Sequence, residues 1–310
     1  MNRPEVLVSY AQNHEDIVLA RIFEPWSQPG HWIDIGAGHP TFDSVTKLFS
    51  DFGWNGINVE PLDDEFGLLT RERRYDVNIQ VAIDSNRGQR AFFTGPESSR
   101  GTSTLNSLIA EAHAGRGLVH SASLINTIPL EDIISMAQWP IDFIKIDVEG
   151  LEEAVINSAD WKSKPCDVLV VEATVPNSTK PSFSVWEPVL LDAGYEFRFF
   201  DGLNRFYVNP DSPIAARTNA QWYPATVQDA FESFKLQSTR SDAQNLRLEN
   251  RAALEYIASL QSELHKKEQA VVDMQLEITE IHRANQRFEV ALAVSESTRQ
   301  ELVAREKVLE

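Results

Sequence analysis

One segment narrows the possible folds of this chain more than any other. Residues 31–40, HWIDIGAGHP, read as a buried strand (Trp32, Ile33, Ile35) that ends in Asp34-x-Gly36-x-Gly38. A helical pattern follows (Ser44, Val45, Leu48, Phe49), and then GINVEP, a second strand closed by Glu60. A strand, a glycine turn, a helix and a strand with a terminal acid build a pocket for a nucleoside. The glycines let the backbone approach the ligand, and a carboxylate after the second strand can hold two ribose hydroxyls.

Two cofactor classes use this arrangement. A dinucleotide fingerprint needs a third glycine, so that the helix N-terminus can approach a pyrophosphate. Counting from Gly36, the third place is taken by Thr41, and Pro40 removes an N–H that a phosphate would use. S-adenosylmethionine has no phosphate and asks only for the turn and the ribose carboxylate, so the turn favours it.

The chain has 310 residues, of which 42% are hydrophobic, enough for one substantial core and something more. A net charge of −18 repels phosphate backbones and anionic membranes, which argues against a nucleic-acid substrate. The single cysteine, Cys166, excludes an internal disulfide and a cysteine zinc site. No secretory leader and no long apolar run is visible, so the expected location is cytoplasmic with no membrane span.

The character of the chain changes near residue 225. Before it, glycines and prolines punctuate alternating strand and helix patterns; after Pro224 there is neither. Two domains are expected, 1–224 and 225–310. In the second, a heptad register with a at Ile257, Leu264, Val271 and Ile278, and d at Leu260, Met274, Ile281 and Phe288, holds 12 apolar residues in 17 a and d positions. Asn250 and Asn285 also fall at a, where buried asparagine selects two-stranded pairing. The expectation is a parallel homodimeric coiled coil; an amphipathic helix folded back on the domain is the alternative.

In the first domain, strands are expected at 31–36, 56–60, 77–83, 90–94, 141–147, 167–172, 195–201 and 205–209, with helices over 43–52, 151–159 and 186–193. Continuous apolar runs such as IDFIKID and DVLVVEA suit parallel strands covered on both faces. The closing YEFRFFDGLNRFYV is an antiparallel hairpin. Five parallel strands with such a hairpin form the Rossmann-like α/β sheet of class I methyltransferases.

Here a family resemblance becomes specific. SYAQNHEDIVLARIF, WIDIGAGHPTFDSVTKLFSDFGWNGINVEP, NIQVAIDSNRG, Ser103–Leu105, TIPLEDII, IDFIKIDVEGLEEAVI, VLVVEATVP and the hairpin resemble, in order, the FkbM-type methyltransferases. The resemblance covers roughly residues 9–209. It implies O-methylation of sugar hydroxyls in polysaccharide, glycolipid or natural-product assembly, and a glycosyltransferase partner. Two alternatives are a nicotinamide-dependent oxidoreductase and a non-catalytic assembly module that recruits glycosyltransferases.

The acids at the strand ends are the candidate site. Glu60 is read as the ribose ligand, Asp84 as an adenine contact, and Asp34 as orienting the turn or the methionyl ammonium, with Gly36 and Gly38 shaping the turn. Asp34 bonding only its own turn, and an Asx turn at Asp84, are the bland readings. In KIDVEG, Lys145 and Asp147 share one face of an apolar strand, where two charges are costly unless they pair or serve a ligand. Asp147 or Glu149 is the candidate general base, with Lys145 positioning it; His39 is another candidate base, and a structural Lys145–Asp147 pair is the alternative. Asp147, Glu149 and Glu172 could also offer oxygen ligands to Mg²⁺. Gln12 and Glu15, on a helix expected to lie over the cleft, are substrate-side candidates, and Trp54, Trp186 and the hairpin phenylalanines are expected to fill core.

Overall fold

The structure, a computed structural model, describes residues 5–24, 28–96, 103–115, 117, 120–216 and 221–309. Along the chain come β1 (Leu7–Ser9), α1 (Glu15–Ile22), β2 (His31–Ile35), α2 (Lys47–Asp51), β3 (Asn55–Val59), α3 (Asp63–Glu72) and β4 (Val77–Ile79). Next are β5 (Ala82–Ile83), β6 (Gly88–Thr94), α4 (Ser107–Ala114), β7 (Ser121–Ile128), α5 (Leu130–Met136), β8 (Phe143–Ile146) and α6 (Glu152–Ile156). The chain closes with β9 (Val168–Glu172), α7 (Glu187–Asp192), β10 (Glu196–Phe200), β11 (Asn204–Val208), β12 (Phe231–Ser233) and α8 (Phe234–Leu309).

Seven strands form the main sheet in the order β10-β11-β9-β8-β2-β3-β4. The run from β9 to β4 is parallel, and β11 is antiparallel to both its neighbours, so the closing hairpin inserts its second strand. All residues of β8 and β9 are buried, which explains their unbroken apolar runs. Alternation then sorts their side chains. Ile33, Ile35, Ile144, Ile146, Leu169 and Val171 pack with α5 and α6 on one face. Trp32, Phe143, Val168 and Val170 pack with α1 and α2 on the other. Each such side chain contributes about 1.5–3 kcal/mol of burial.

Several elements differ from the sequence reading. The strand expected at 77–83 breaks in two, with β4 in the main sheet and β5 in a separate sheet of order β5-β7-β6. Strand β7 gave no apolar run to read, because its first four residues are exposed. Helix α1 is buried at all eight positions and belongs to the second core, so it does not lie over the cleft as a lid. Trp54 and Trp186 do fill core, but Phe197 and Phe200 stay partly open to solvent.

The first compact unit runs to Ser238, beyond the expected boundary at 224. Residues 226–234 return to the N-terminus: β12 pairs with β1 in parallel, and Arg21 Nη1 meets Asp229 Oδ1 at 2.6 Å in a buried ion pair. The second unit, from Thr239, is one helix. Helix α8 is 76 residues long, roughly 110 Å at 1.5 Å per residue. Along it Leu246, Ile257, Leu260, Leu264, Met274, Ile281 and Phe288 are exposed. Among the described residues no helix is long and apolar enough to cross a membrane.

Candidate active site

The glycine turn is fixed by what stands behind it. Gly36 has φ +77°, and a Cβ there would lie 1.9 Å from the carbonyl oxygen of Asp147, so only glycine lets β2 and β8 end side by side. Its N–H and that of Ala37 both donate to Val59 O, at 3.0 and 3.1 Å. Gly38, φ +60°, has open space where a Cβ would be. Its N–H donates to Glu60 Oε2 (2.8 Å), while the N–H of Leu62 donates to Glu60 Oε1 (2.8 Å). Each carboxylate oxygen keeps a second lone-pair site, which two ribose hydroxyls could occupy. Burial pushes the Glu60 carboxyl up to about 7, although both amide bonds favour the ionised form.

Lys145 and Asp147 stand at the end of β8. Lys145 Nζ lies 3.1 Å from Asp147 Oδ2 and 3.9 Å from Asp34 Oδ1. Burial alone would discharge the ammonium, but Asp147 and Asp34 reverse this and raise its pKa, so it stays charged. Asp34, paired with Lys145 in register, is fully buried and accepts a hydrogen bond from Thr46 Oγ1 at 3.2 Å.

Beyond Asp147 the chain turns through Glu149 and Gly150, both left-handed, at φ +49° and +89°. A non-glycine residue there is strained, as residues held for a site often are. Burial, then the charges of Asp147 and Glu152, push the Glu149 carboxyl well above the usual range. Glu172, at the end of β9, is raised as well, by burial first and then by the charges of Asp147, Glu149 and Glu152, so the acids here favour the protonated form in one another.

A cavity of about 490 Å³ opens at these strand ends. Gly36, Gly38, His39, Glu60, Lys145, Asp147 and Glu149 line it, so seven of the expected residues meet at one place. Asp34 and Asp84 do not line it. Asp34 lies beneath Lys145, and Asp84 forms an ion pair with Arg90 and accepts from the N–H of the next residue, Ser85, at 2.8 Å. Gln12 reaches the cavity, whereas Glu15 is buried and accepts from Asn204 Nδ2 at 2.6 Å. The sequence reading missed Phe42, Phe92 and Asn177 among the lining residues. Asn177 is left-handed (φ +56°), and an Asn-Ser pair after VVEATVP was the one local turn cue.

His39 Nδ1 accepts from the backbone N–H groups of Thr41 (3.0 Å) and Phe42 (3.1 Å). In the neutral imidazole these bonds place the ring proton on Nε2. Asp147 and Glu149, two of the three acids read as magnesium ligands, line the cavity, and Glu172 interacts with both from the end of β9. Among the described residues no group of three or more His, Cys, Asp and Glu side chains is disposed to hold a metal ion.

Fold and cavity together define a Rossmann-like methyltransferase of class I type. Residues 34–197 match the family described as the methyltransferase FkbM domain, which is more than half of the chain. The chain belongs to the FkbM methyltransferase family and is an S-adenosylmethionine-dependent methyltransferase. This sets aside the oxidoreductase alternative. Among solved structures, similarity extends to the precorrin-6y C5,15-methyltransferase of Geobacter metallireducens GS-15, at 10% identity over 67% of this chain and 98% of that one, TM-score 0.33. The magnesium protoporphyrin IX methyltransferase of Synechocystis PCC 6803 is similar at 10% identity over 63% and 82%, TM-score 0.32. Aeropyrum pernix fibrillarin is similar at 13% identity over 63% and 74%, TM-score 0.34. No curated protein matches the chain.

The residues present fit S-adenosylmethionine. Glu60 offers two remaining acceptor sites for vicinal hydroxyls, and the Gly38 position leaves room that a side chain would fill. The acids Asp43, Glu60, Glu65 and Asp147 outnumber the one lysine in the wall, which suits a cationic ligand.

Proposed function

We propose that this protein is an O-methyltransferase that acts on a hydroxyl of a sugar-like acceptor in polysaccharide, glycolipid or natural-product assembly. The observation that carries the reading is Asp147, a carboxylate at the cavity wall, next to the glycine turn and tied to Lys145 at 3.1 Å. Glu60 would hold the ribose, with the Gly36–Gly38 turn beside it. When bound, S-adenosylmethionine supplies a methyl group already activated on a sulfonium.

The chain's own residues have the rest of the work. They align the acceptor oxygen, exclude water and receive a proton. Asp147 is the proposed base, because burial and neighbouring acids favour the protonated form of Glu149, and His39 Nδ1 is already occupied by two backbone N–H groups. Lys145 fixes the Asp147 carboxylate on its Oδ2 side. Glu149, as a neutral acid, and His39 Nε2–H can donate to acceptor oxygens, as Gln12 and Asn177 can with their amides. A wall of amide, carboxyl and imidazole donors suits a polyol better than an aromatic acceptor.

The heptad face of α8 supports a parallel homodimer, and a glycosyltransferase would be a natural neighbour for an enzyme that modifies growing glycans. A cytoplasmic location completes the reading. Calorimetric titration should show binding of S-adenosylmethionine and none of NAD. Mass spectrometry of cell glycans with and without the gene should show the loss of one methylene mass. Identical glycans together with transfer to a non-sugar acceptor would overturn the acceptor class.

A further inference from the structure

The cavity wall is braced from a part of the chain that lies outside the family match. Phe42 lines the cavity, is 46% exposed, and packs edge-on against His39 with ring centroids 4.9 Å apart. A second ring neighbour is Phe234, the first residue of α8, at 5.4 Å. Phe234 also packs on Tyr10 at 5.0 Å. The junction that delivers Phe234 is firmly built. Thr226 and Asp229 form a capping box, Asp229 pairs with the buried Arg21, and β12 pairs with β1 from Phe231 to Ser233. Phe231 adds a ring contact with His14 at 4.6 Å.

We propose that Phe234 is a positioning residue of the S-adenosylmethionine cavity, acting through Phe42 and His39, so that the strand-to-helix junction of the tail sets cofactor affinity. This rests on the cavity being the cofactor site. Without the Phe234 ring, Phe42 loses an aromatic support, and the loop from His39 to Asp43 is left with its other ties, among them the bond from Arg73 Nη1 to Pro40 O at 3.3 Å. Asp43 in that loop is left-handed (φ +55°), a conformation the surrounding packing must maintain.

The test titrates S-adenosylmethionine calorimetrically into full-length wild type, Phe234→Ala, Phe234→Tyr and Leu236→Ala. Leu236 is exposed and serves as the control. Phe234→Ala should weaken binding about five- to tenfold, the worth of an aromatic pair. Phe234→Tyr should restore wild-type affinity, and Leu236→Ala should leave it unchanged. Without ligand, amide exchange at Thr41 and Phe42 should quicken in Phe234→Ala alone. If Phe234→Ala does not fold, Phe234→Leu against Phe234→Tyr makes the same comparison, with the leucine variant the weaker binder. Equal affinities and equal exchange across the set overturn the proposal. A wild type that binds no S-adenosylmethionine would instead overturn the cofactor reading beneath it.

Discussion

The ammonium of Lys145 stands 3.1 Å from Asp147 Oδ2 and 3.9 Å from Asp34 Oδ1, one carboxylate at the cavity wall and one sealed beneath it. The pairing explains how a charged lysine survives within a buried strand. It also separates two roles, because Asp34 keeps the lysine compensated when Asp147 changes. Asp147→Asn should therefore fold and bind S-adenosylmethionine, yet lose about 10²–10⁴ in turnover, the usual worth of a proton acceptor. Single-turnover methyl transfer to the acceptor measures this, and unchanged turnover would remove Asp147 from the chemistry.

Glu60 links cofactor binding to pH. Its carboxyl sits at about 7 rather than the usual 4.5, and ribose hydroxyls that donate to it would favour the ionised form. Binding should then release a proton, and affinity should weaken about tenfold for each pH unit below 7 and level off above it. Titrations in buffers of different ionisation enthalpy report the released proton directly. Glu60→Gln exchanges an acceptor for a donor that faces the N–H of Gly38 or Leu62. It should weaken binding about tenfold to a hundredfold and abolish the pH dependence.

Stability without ligand should run the other way. Glu15, Glu60 and Glu152 are raised to about 7 and Asp16 to about 6, all chiefly by burial. Each binds its proton more tightly folded than unfolded. Their contribution is complete below the usual carboxyl values and is lost as pH rises toward 7, while the unfolded chain ionises freely. The unfolding temperature of the ligand-free protein should thus fall from pH 5 to pH 8. A rising curve would mean that these carboxyls are ionised in the folded state.

How far the sequence reaches is clear from these residues. Gly36, Glu60, Lys145 and Asp147 were legible because each closes an apolar strand, and strand ends in a parallel sheet converge on one edge. Asp34 and Asp84 close or follow strands too, but alternation turns Asp34 inward to Lys145, and Arg90 from β6 claims Asp84. No linear pattern announces such partners. Strand β7 was hidden for a different reason: a small sheet exposed on one side has no apolar run. The return of 231–234 to residues 7–10 depends on contacts more than 200 positions apart, beyond any local signal.

The two turn glycines should fail differently. At Gly36 a methyl group would lie 1.9 Å from the Asp147 carbonyl, and backbone cannot yield cheaply. Gly36→Ala should lose about 2–4 kcal/mol of stability and cofactor binding with it. At Gly38 nothing lies within 4 Å, so Gly38→Ala meets only the strain of its left-handed φ, about 1–2 kcal/mol. Its methyl group would occupy cavity space beside Glu60. The variant should stay folded at ordinary temperature while binding S-adenosylmethionine about tenfold or more weakly. Equal losses of stability in the two variants would contradict the difference in their surroundings.

The tail offers the last test, because two faces of α8 expose side chains of similar size. Ile278 occupies an a position of the heptad register and is 65% exposed; Leu276, at f, is 62% exposed. In a lone helix the two are equivalent, and a lysine at either would be tolerated. In a parallel coiled coil only Ile278 faces the partner helix, where a lysine is poorly accommodated beside apolar a and d neighbours. Ile278→Lys should shift full-length protein from dimer toward monomer by light scattering, while Leu276→Lys should leave the mass unchanged. A monomeric wild type, or equal behaviour of the two variants, would remove the coiled coil.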